Sequence, residues 1–330
     1  MNSRHSPNPP SPREQLSRDI KAEALRLGFF ACGIAHAEPV NAEVAANVRQ
    51  WVDAGKYAQM NYMARHTDMR LNPQLLMPGV ESIVSVALNY APAATPPNGE
   101  YQLAAYALGQ DYHDIVKAKL HQLAQFIAQA APGGDFAYRA FCDSAPVLER
   151  YWAVRAGLGW TGRNHQLIIP HAGSMFFLGE LFLNIPLHYD EPMPTHCGTC
   201  HACIDACPTG ALDGQQFDAD RCLSYQTIEN RDALSPLARQ HIGQTIYGCD
   251  RCQQACPWNR FATPNHTPEL QPRPELLSMT REQWHALSED RYRQLFKGSA
   301  VKRAKYSGLC RNIMAAKQAS EDIQKQETPQ

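Results

Sequence analysis

The apolar and polar positions alternate in two different rhythms along the first half of the chain. Residues 14–27 carry a helical pattern that is stopped by Gly28, since glycine readily takes the conformation that ends a helix. Residues 29–34 then read as a strand and 41–54 as a second helix. Residues 82–90 form a strand, entered after Pro78-Gly79 and left through a loop over 91–99. The longest amphipathic pattern covers 111–131, with Ile115, Leu120, Leu123, Phe126 and Ile127 available for one buried face. A strand over 136–142 and a helix over 146–156 follow, and 166–169 and 175–184 read as paired strands. The most apolar stretch, 175–187, is too short to span a bilayer and contains Glu180 and Asn184, so it reads as a buried strand.

This alternation predicts an α+β chain whose first domain is α/β layered and covers 14–186. Pro192 and Pro194 introduce a cysteine-rich module over 187–262. Pro264, Pro268, Pro272 and Pro274 mark a linker, and Thr280-Arg-Glu-Gln283 is a capping box that opens a helix. A second helix is expected near Ser299, and the last dozen residues, rich in Gln and Glu, are expected to fray. Residues 1–13, with Pro7, Pro9, Pro10, Pro12 and several serines, read as a disordered tail without the apolar core of a signal peptide.

Composition adds bounds rather than identity. A chain of 330 residues with 44% hydrophobic and 19% charged residues has room for two or three domains. The formal net charge of −1 does not mark the whole chain as a nucleic-acid binder. No Gly-x-Gly-x-x-Gly and no Walker loop points to a dinucleotide or ATP.

The cysteines carry the first chemistry. Cys197-x2-Cys200-x2-Cys203-x3-Cys207-Pro208 is the ligand run of a bacterial two-cluster ferredoxin, echoed in part by Cys249-x2-Cys252-x3-Cys256-Pro257 with Cys222 between. The last cysteine of such a run serves the other cluster. That rule assigns Cys197, Cys200, Cys203 and Cys256 to one 4Fe–4S cluster and Cys207, Cys222, Cys249 and Cys252 to a second. Cys222 stands in for the third close cysteine that Ala255 replaces. A structural zinc would use two Cys-x2-Cys pairs and leave Cys203, Cys207, Cys222 and Cys256 idle. The remaining three of eleven cysteines, Cys32, Cys142 and Cys310, are scattered, which argues against a secreted disulfide framework and for a cytosolic setting.

Around these runs lie Arg70-Leu-Asn-Pro73, Cys142-Asp143-Ser-Ala-Pro-Val-Leu-Glu149-Arg150, Gly157-Leu-Gly-Trp-Thr-Gly-Arg-Asn164, Gly173-Ser-Met-Phe-Phe-Leu-Gly-Glu180-Leu, Cys222-Leu-Ser-Tyr-Gln-Thr227 and Tyr247-Gly-Cys-Asp250. The combination resembles the epoxyqueuosine reductase family over residues 15–315. The resemblance implies removal of the epoxide oxygen of epoxyqueuosine at the tRNA wobble position, with two 4Fe–4S clusters and cobalamin, in a core related to corrinoid reductive dehalogenases. It implies that Asp143 donates the proton. Asp143 also counts among the cobalamin contacts, with Arg70 at the corrin's polar periphery and Asn164, Leu167 and Leu178 at its floor. Ser224 and Asp250 would bridge cluster and cofactor. Ala104 falls where some relatives carry a cysteine. His165 is discounted as a cobalt ligand, because the family binds cobalamin base-off.

The apolar neighbours of Asp143 (Phe141, Cys142, Ala145 and Pro146) are expected to bury its carboxyl, raise its pKa and keep it protonated. Asp143 or Ser144 before Pro146 also suits a helix N-cap. Between Arg291 and Arg311 there are seven basic residues and no acid, the charge asymmetry of an RNA-contacting face. Lys302, Arg303, Lys305 and Arg311 are the candidate contacts, on what resembles a short HEAT-like helical end. The expected partners are tRNA and an electron donor that the sequence leaves unidentified; the expected form is a cytoplasmic monomer without a membrane segment. The rival readings are a dehalogenase-like reductase of a small molecule, disfavoured by the basic segment and the lack of an export signal, and a ferredoxin subunit, for which the first domain is too large.

Overall fold

The computed structural model describes residues 9–131, 134–214 and 216–327, with side chains through 322. Helix α1 (Pro12–Arg26) opens with a capping box in which the Ser11 hydroxyl accepts the Glu14 N–H and the Glu14 carboxylate accepts the Ser11 N–H. The tail expected over 1–13 is thereby shortened, because these reciprocal bonds satisfy donors that a helix start leaves open. Residues 1–8 lie outside the described residues.

Four strands form one antiparallel sheet: β1 (Ala31–His36), β2 (Ser82–Asn89), β3 (Tyr138–Phe141) and β4 (Phe176–Leu183), in the order β1-β2-β4-β3. The pairing expected between 166–169 and 175–184 is not formed. Leu167–Ile168 pairs instead with Trp160–Thr161, and only an isolated bridge links Ile169 to Gly173. The physical reason is that β4 is apolar on both faces, which suits a central strand covered from both sides better than one arm of a hairpin.

Both faces of the sheet are covered. On one, α1 and the long helix α3 (Tyr112–Ala130) bring Ile20, Val116, Leu120 and Leu123 against Val84, Val86, Phe177 and Leu181. Helix α2 (Ala42–Asp53), capped by Asn41, lies between them in the chain. On the other face, α4 (Glu149–Arg155) brings Trp152 and Ala153 against Ile83, Ala87, Phe141 and Phe182. Gly179 lets α3 lie close to the sheet: a Cβ there would stand 2.6 Å from Val116 Cγ1. Helix α4 starts three residues later than the sequence suggests, and its cap position, Leu148, makes no side-chain cap bond. Neither Asp143 nor Ser144 caps it.

The cysteine-rich segment is a set of short helices and turns. Its strand Thr245–Tyr247 pairs in parallel with Gln102–Leu103 of the first domain. The Thr280 capping box forms and opens the helix Arg281–His285. Helix α5 (Lys305–Glu327) follows a 3-10 turn capped by Ser299. It continues to Glu327, so fraying of the last dozen residues is not seen as far as that position; 328–330 lie outside the described residues. Leu309 and Ile313 of α5 share a core with Tyr101, Leu108, Ile246, Tyr247 and Trp284. Buried Asn312 donates to the carbonyls of Thr227 (2.8 Å) and Ile246 (2.9 Å). The C-terminal helix therefore joins the first domain to the cysteine-rich segment. Among the described residues no helix is long and apolar enough to cross a membrane.

Gly179→Val should overpack the contact with Val116 and cost about 1–3 kcal/mol of stability, measured by urea unfolding of the folded protein.

Candidate active site

The thiols fall into two groups in the fold. Burial pushes the Cys203 thiol up, with Cys256, Cys197 and Cys200 adding to it. Burial pushes Cys252 up to about 12, with Cys249, Cys222 and Cys207 adding. Cys222 in turn lies in the field of Cys207, and Cys249 in that of Cys222. Cys256 thus sits with the early run, while Cys207 sits with Cys222, Cys249 and Cys252. Each group offers four sulfur donors, the donor chemistry of 4Fe–4S ligation. Trp160, Ile168 and Trp258 pack beside Cys197 and Cys256.

Asp143 lies in the turn between β3 and α4 with φ of 56°, a left-handed conformation uncommon for a non-glycine residue. Its Oδ2 accepts the Tyr112 hydroxyl at 2.9 Å and meets His113 Nε2 at 3.1 Å. His113 Nδ1 meets Oδ1 of Asp111, the N-cap of α3, at 2.6 Å. Hydrogen bonds to Asp111 and then Asp143 push His113 up to about 9, so the ring is an imidazolium at neutral pH and both nitrogens donate. Tyr112 stacks on Phe177, centroids 4.1 Å apart at 4°, and burial keeps its phenol protonated as a donor.

This arrangement corrects the expectation of a buried, protonated Asp143. Burial does push the carboxyl up, but the bonds from His113 and Tyr112, together with the His113 and Arg303 charges, outweigh it and hold the group below the usual carboxylate range. Burial is the largest single influence on the carboxyl, and only the hydrogen bonds and charges acting together exceed it. The sequence reading missed Tyr112 and His113. Their only signal was Asp111, a good N-cap immediately ahead of a helix; no spacing rule links that helix start to residue 143.

The other candidates spread around this turn. Arg70 is 9% exposed, donates to the Tyr62 carbonyl at 3.1 Å and keeps a buried Nε without a partner among the described residues. It lies in the field of Asp143 and Glu149. Leu167 and Leu178 belong to the core that also holds Ala145 and Leu148, beneath the Asp143 turn. Asn164 donates weakly to the Cys252 carbonyl (3.5 Å) and accepts the Gln166 N–H. Asp250 accepts the Ala105 N–H at 2.7 Å, and burial pushes it up to about 6. The backbone N–H of Ser224 faces the Cys222 sulfur. Arg70, Leu167 and Leu178 therefore border the Asp143 turn, while Asn164, Asp250 and Ser224 border the second thiol group.

The basic segment divides in the fold. Arg291 and Arg293 pair with Glu275 and Glu289. Arg303 is held by both oxygens of Glu229, at 2.7 and 2.8 Å, with its guanidinium 5.6 Å from the ring centre of half-exposed Tyr62. Arg311 is committed internally: its guanidinium donates to the carbonyls of Gln226, Asn230 and Asp232 and to Asn312. That corrects its reading as an RNA contact, since its donors are spent on the protein's own acceptors. Lys302 and Lys305 stand exposed.

Because His113 rises from 6.5 to about 9 on folding, its contribution to stability is complete below 6.5 and is lost as pH climbs through about 9. Chemical unfolding between those values should show wild type losing stability that His113→Gln does not lose.

Comparison with known proteins follows the same outline. Residues 70–144 match the family described as Epoxyqueuosine reductase QueG, DUF1730, and residues 196–259 match the 4Fe-4S double cluster binding domain. An epoxyqueuosine reductase of Cellulophaga algicola is 43% identical over 302 residues, 91% of this chain and 98% of that protein. One from Escherichia coli is 40% identical over 309 residues, covering 92% and 80%. A crystal structure of epoxyqueuosine reductase with a tRNA-Tyr epoxyqueuosine-modified stem loop matches with a TM-score of 0.85 at 28% identity, over 94% of this chain and 83% of that one. A Bacillus subtilis epoxyqueuosine reductase whose catalytic aspartate loop is swung out of the active site matches with a TM-score of 0.83 at 28% identity, over the same shares of the two chains. By descent and by fold, this chain belongs to the epoxyqueuosine reductase family.

Proposed function

We propose that the protein reduces epoxyqueuosine to queuosine in tRNA, taking up two electrons and two protons and releasing the epoxide oxygen as water. The observation that carries the chemistry is the Asp143 carboxylate held between the Tyr112 hydroxyl and the His113 imidazolium, in a chain that also gathers eight thiols into two groups. Both bonds fall on Oδ2. His113 delivers its Nε2 proton to the Asp143 carboxylate across 3.1 Å, Asp143 passes that proton to the departing oxygen, a poor leaving group as an alkoxide, and solvent supplies the second proton of the water released. Asp111 keeps the imidazole oriented and charged.

Cys197, Cys200, Cys203 and Cys256 would hold one 4Fe–4S cluster, and Cys207, Cys222, Cys249 and Cys252 the other. Cobalamin fits the neighbouring site on one structural ground: the buried, unpartnered Nε of Arg70 is suited to the amide-rich edge of a corrin. Leu167 and Leu178 would supply an apolar floor, and Asn164, Ser224 and Asp250, which border the second thiol group, would meet the cofactor from the cluster side. When bound, the clusters deliver electrons singly and cobalamin supplies a strongly reducing cobalt centre. Asp143 and its turn would correspond to the catalytic aspartate loop of the Bacillus subtilis protein.

The tRNA would approach over Tyr62, Arg303, Lys302 and Lys305. Arg303 and Tyr62 both lie in the field of Asp143, so the basic segment reaches the mouth of the site. A cation over an exposed ring is a natural platform for an unstacked base. The site residues named above all come from one chain, which supports a monomer, and a tRNA substrate supports a cytoplasmic setting.

Anaerobic reduction of the purified protein with cobalamin and epoxyqueuosine-containing tRNA should yield queuosine; no product under those conditions overturns the reading. Asp143→Asn should keep its iron and cobalamin content and lose about 10²–10⁴ of turnover. Binding of the tRNA by Lys302→Gln/Lys305→Gln should depend less on salt, its logarithmic slope flattening by about 0.7 per lysine. Arg311→Gln should instead lower the melting temperature.

A further inference from the structure

Glu180 is fully buried in the middle of β4, on the face where Phe176, Leu178 and Phe182 are core. Its register partners are Ser85 on β2 and Phe141 on β3, two residues before Asp143. One oxygen, Oε1, accepts the Ser85 hydroxyl at 3.2 Å. The other, Oε2, has no donor among the described residues if Glu180 is a carboxylate. The group that faces it is the carboxyl of Glu149, the first residue of α4. An unpaired charge at this depth is prohibitive, and two adjoining carboxylates do not both ionise. As a carboxylic acid, Glu180 has an O–H to donate and Glu149 is the acceptor, which accounts for the otherwise orphaned oxygen.

Glu149 makes one further bond: its Oε1 accepts the peptide N–H of Asp143 at 2.5 Å. That residue holds the left-handed φ, which a non-glycine keeps only where its surroundings impose it. Other tethers act on the next residue, where the Ser144 N–H donates to the Cys142 carbonyl at 2.6 Å and Lys117 donates to the Ser144 hydroxyl at 3.0 Å. Among the described residues, Glu149 alone holds Asp143 itself by the backbone.

We propose that Glu180 and Glu149 form a proton-sharing carboxyl pair that fastens the Asp143 turn to the central strand, keeping its carboxylate on Tyr112 and His113. Both are positioning residues that act through Asp143. Burial pushes both carboxyls up, with the charge of Asp143 adding on Glu149 and that of Glu149 adding on Glu180, in keeping with a proton held between them. The inference rests on Asp143 as the proton donor.

Glu149→Ala removes the acceptor, Glu149→Gln keeps one, and Glu180→Gln keeps a donor toward Glu149. In hydrogen–deuterium exchange of the cofactor-loaded protein, the peptide over 142–147 should exchange about tenfold faster in Glu149→Ala than in wild type, and at the wild-type rate in both glutamine variants. Turnover in Glu149→Ala should fall by about a hundredfold, the scale of an ångström-sized misplacement, with KM for tRNA unchanged and with Glu149→Gln restoring most of the rate. The infrared spectrum of wild type at neutral pH should contain a buried carboxylic-acid carbonyl band that Glu180→Gln lacks. Absence of that band overturns the proposal, as does unchanged exchange in Glu149→Ala. Loss of turnover in Glu149→Gln with wild-type exchange overturns it too, by giving Glu149 acid–base work of its own. Should Glu149→Ala not fold, the infrared band and the exchange of Glu149→Gln decide. Were Asp143 not the donor, Asp143→Asn would turn over normally while the band and the exchange pattern stayed as predicted, so the two failures are distinguishable.

Discussion

Strand β4 is the constraint on which the rest is built. It sits between β2 and β3 and must be compatible with a core on each side, so nearly every side chain it carries is apolar. Its two departures from that rule both serve the Asp143 turn. Gly179 takes away a side chain and lets α3 close onto the sheet, which brings Tyr112 and His113 to the turn. Glu180 puts a carboxyl into the opposite core, where it faces Glu149 and, through it, the Asp143 backbone. One strand thus sets the position of the turn from both faces of the sheet.

The electrostatics of that turn depend on which of two opposing effects is larger. Desolvation favours a neutral Asp143, whereas the donors gathered on Oδ2 favour a charged one. The two hydrogen-bond donors, with the charges of His113 and Arg303, outweigh desolvation, and the proton resides on His113. In the proposed reaction the acid is therefore divided: Asp143 would serve the reacting oxygen and His113 would store the proton. A coupled pair of this kind titrates as a unit rather than as two independent groups.

The C-terminal helix has a structural part that its charge pattern hides. Asn312 and Arg311 bond to carbonyls of the 226–232 and 246 segments, so α5 holds the turn after Cys222 against the strand that leads to Cys249. The buried amide and guanidinium satisfy backbone acceptors that a helix-poor segment leaves open. The same helix carries exposed Lys305 on its first turn, and Arg303 just before it reaches toward Tyr62. Support of the thiol groups and the proposed contact with RNA thus fall to neighbouring residues of one segment.

The amino-acid sequence alone determined whatever depends on residues close in the chain. The helices that begin at Asn41, Asp111 and Thr280 were legible because a cap and its helix are neighbours, whereas the helix capped by Ser11 starts earlier than its apolar pattern indicated; the cysteine runs were legible because cluster ligation demands short spacings. The family blocks around Asp143 and Asn164 pointed to the chemistry for the same reason. Only the tertiary structure decided what depends on distant residues meeting. It moved β4 from a hairpin to the centre of the sheet, because both of its faces needed cover. It started α4 at Glu149 rather than before it, leaving Asp143 in a strained turn. It lowered the Asp143 carboxyl instead of raising it, because His113, 30 positions away in the chain, lies 3.1 Å away in space. It spent Arg311 on the protein's own carbonyls. Hydrogen-bond partners and the balance between desolvation and neighbouring charge are set by distance in space, and separation along the chain does not report that distance.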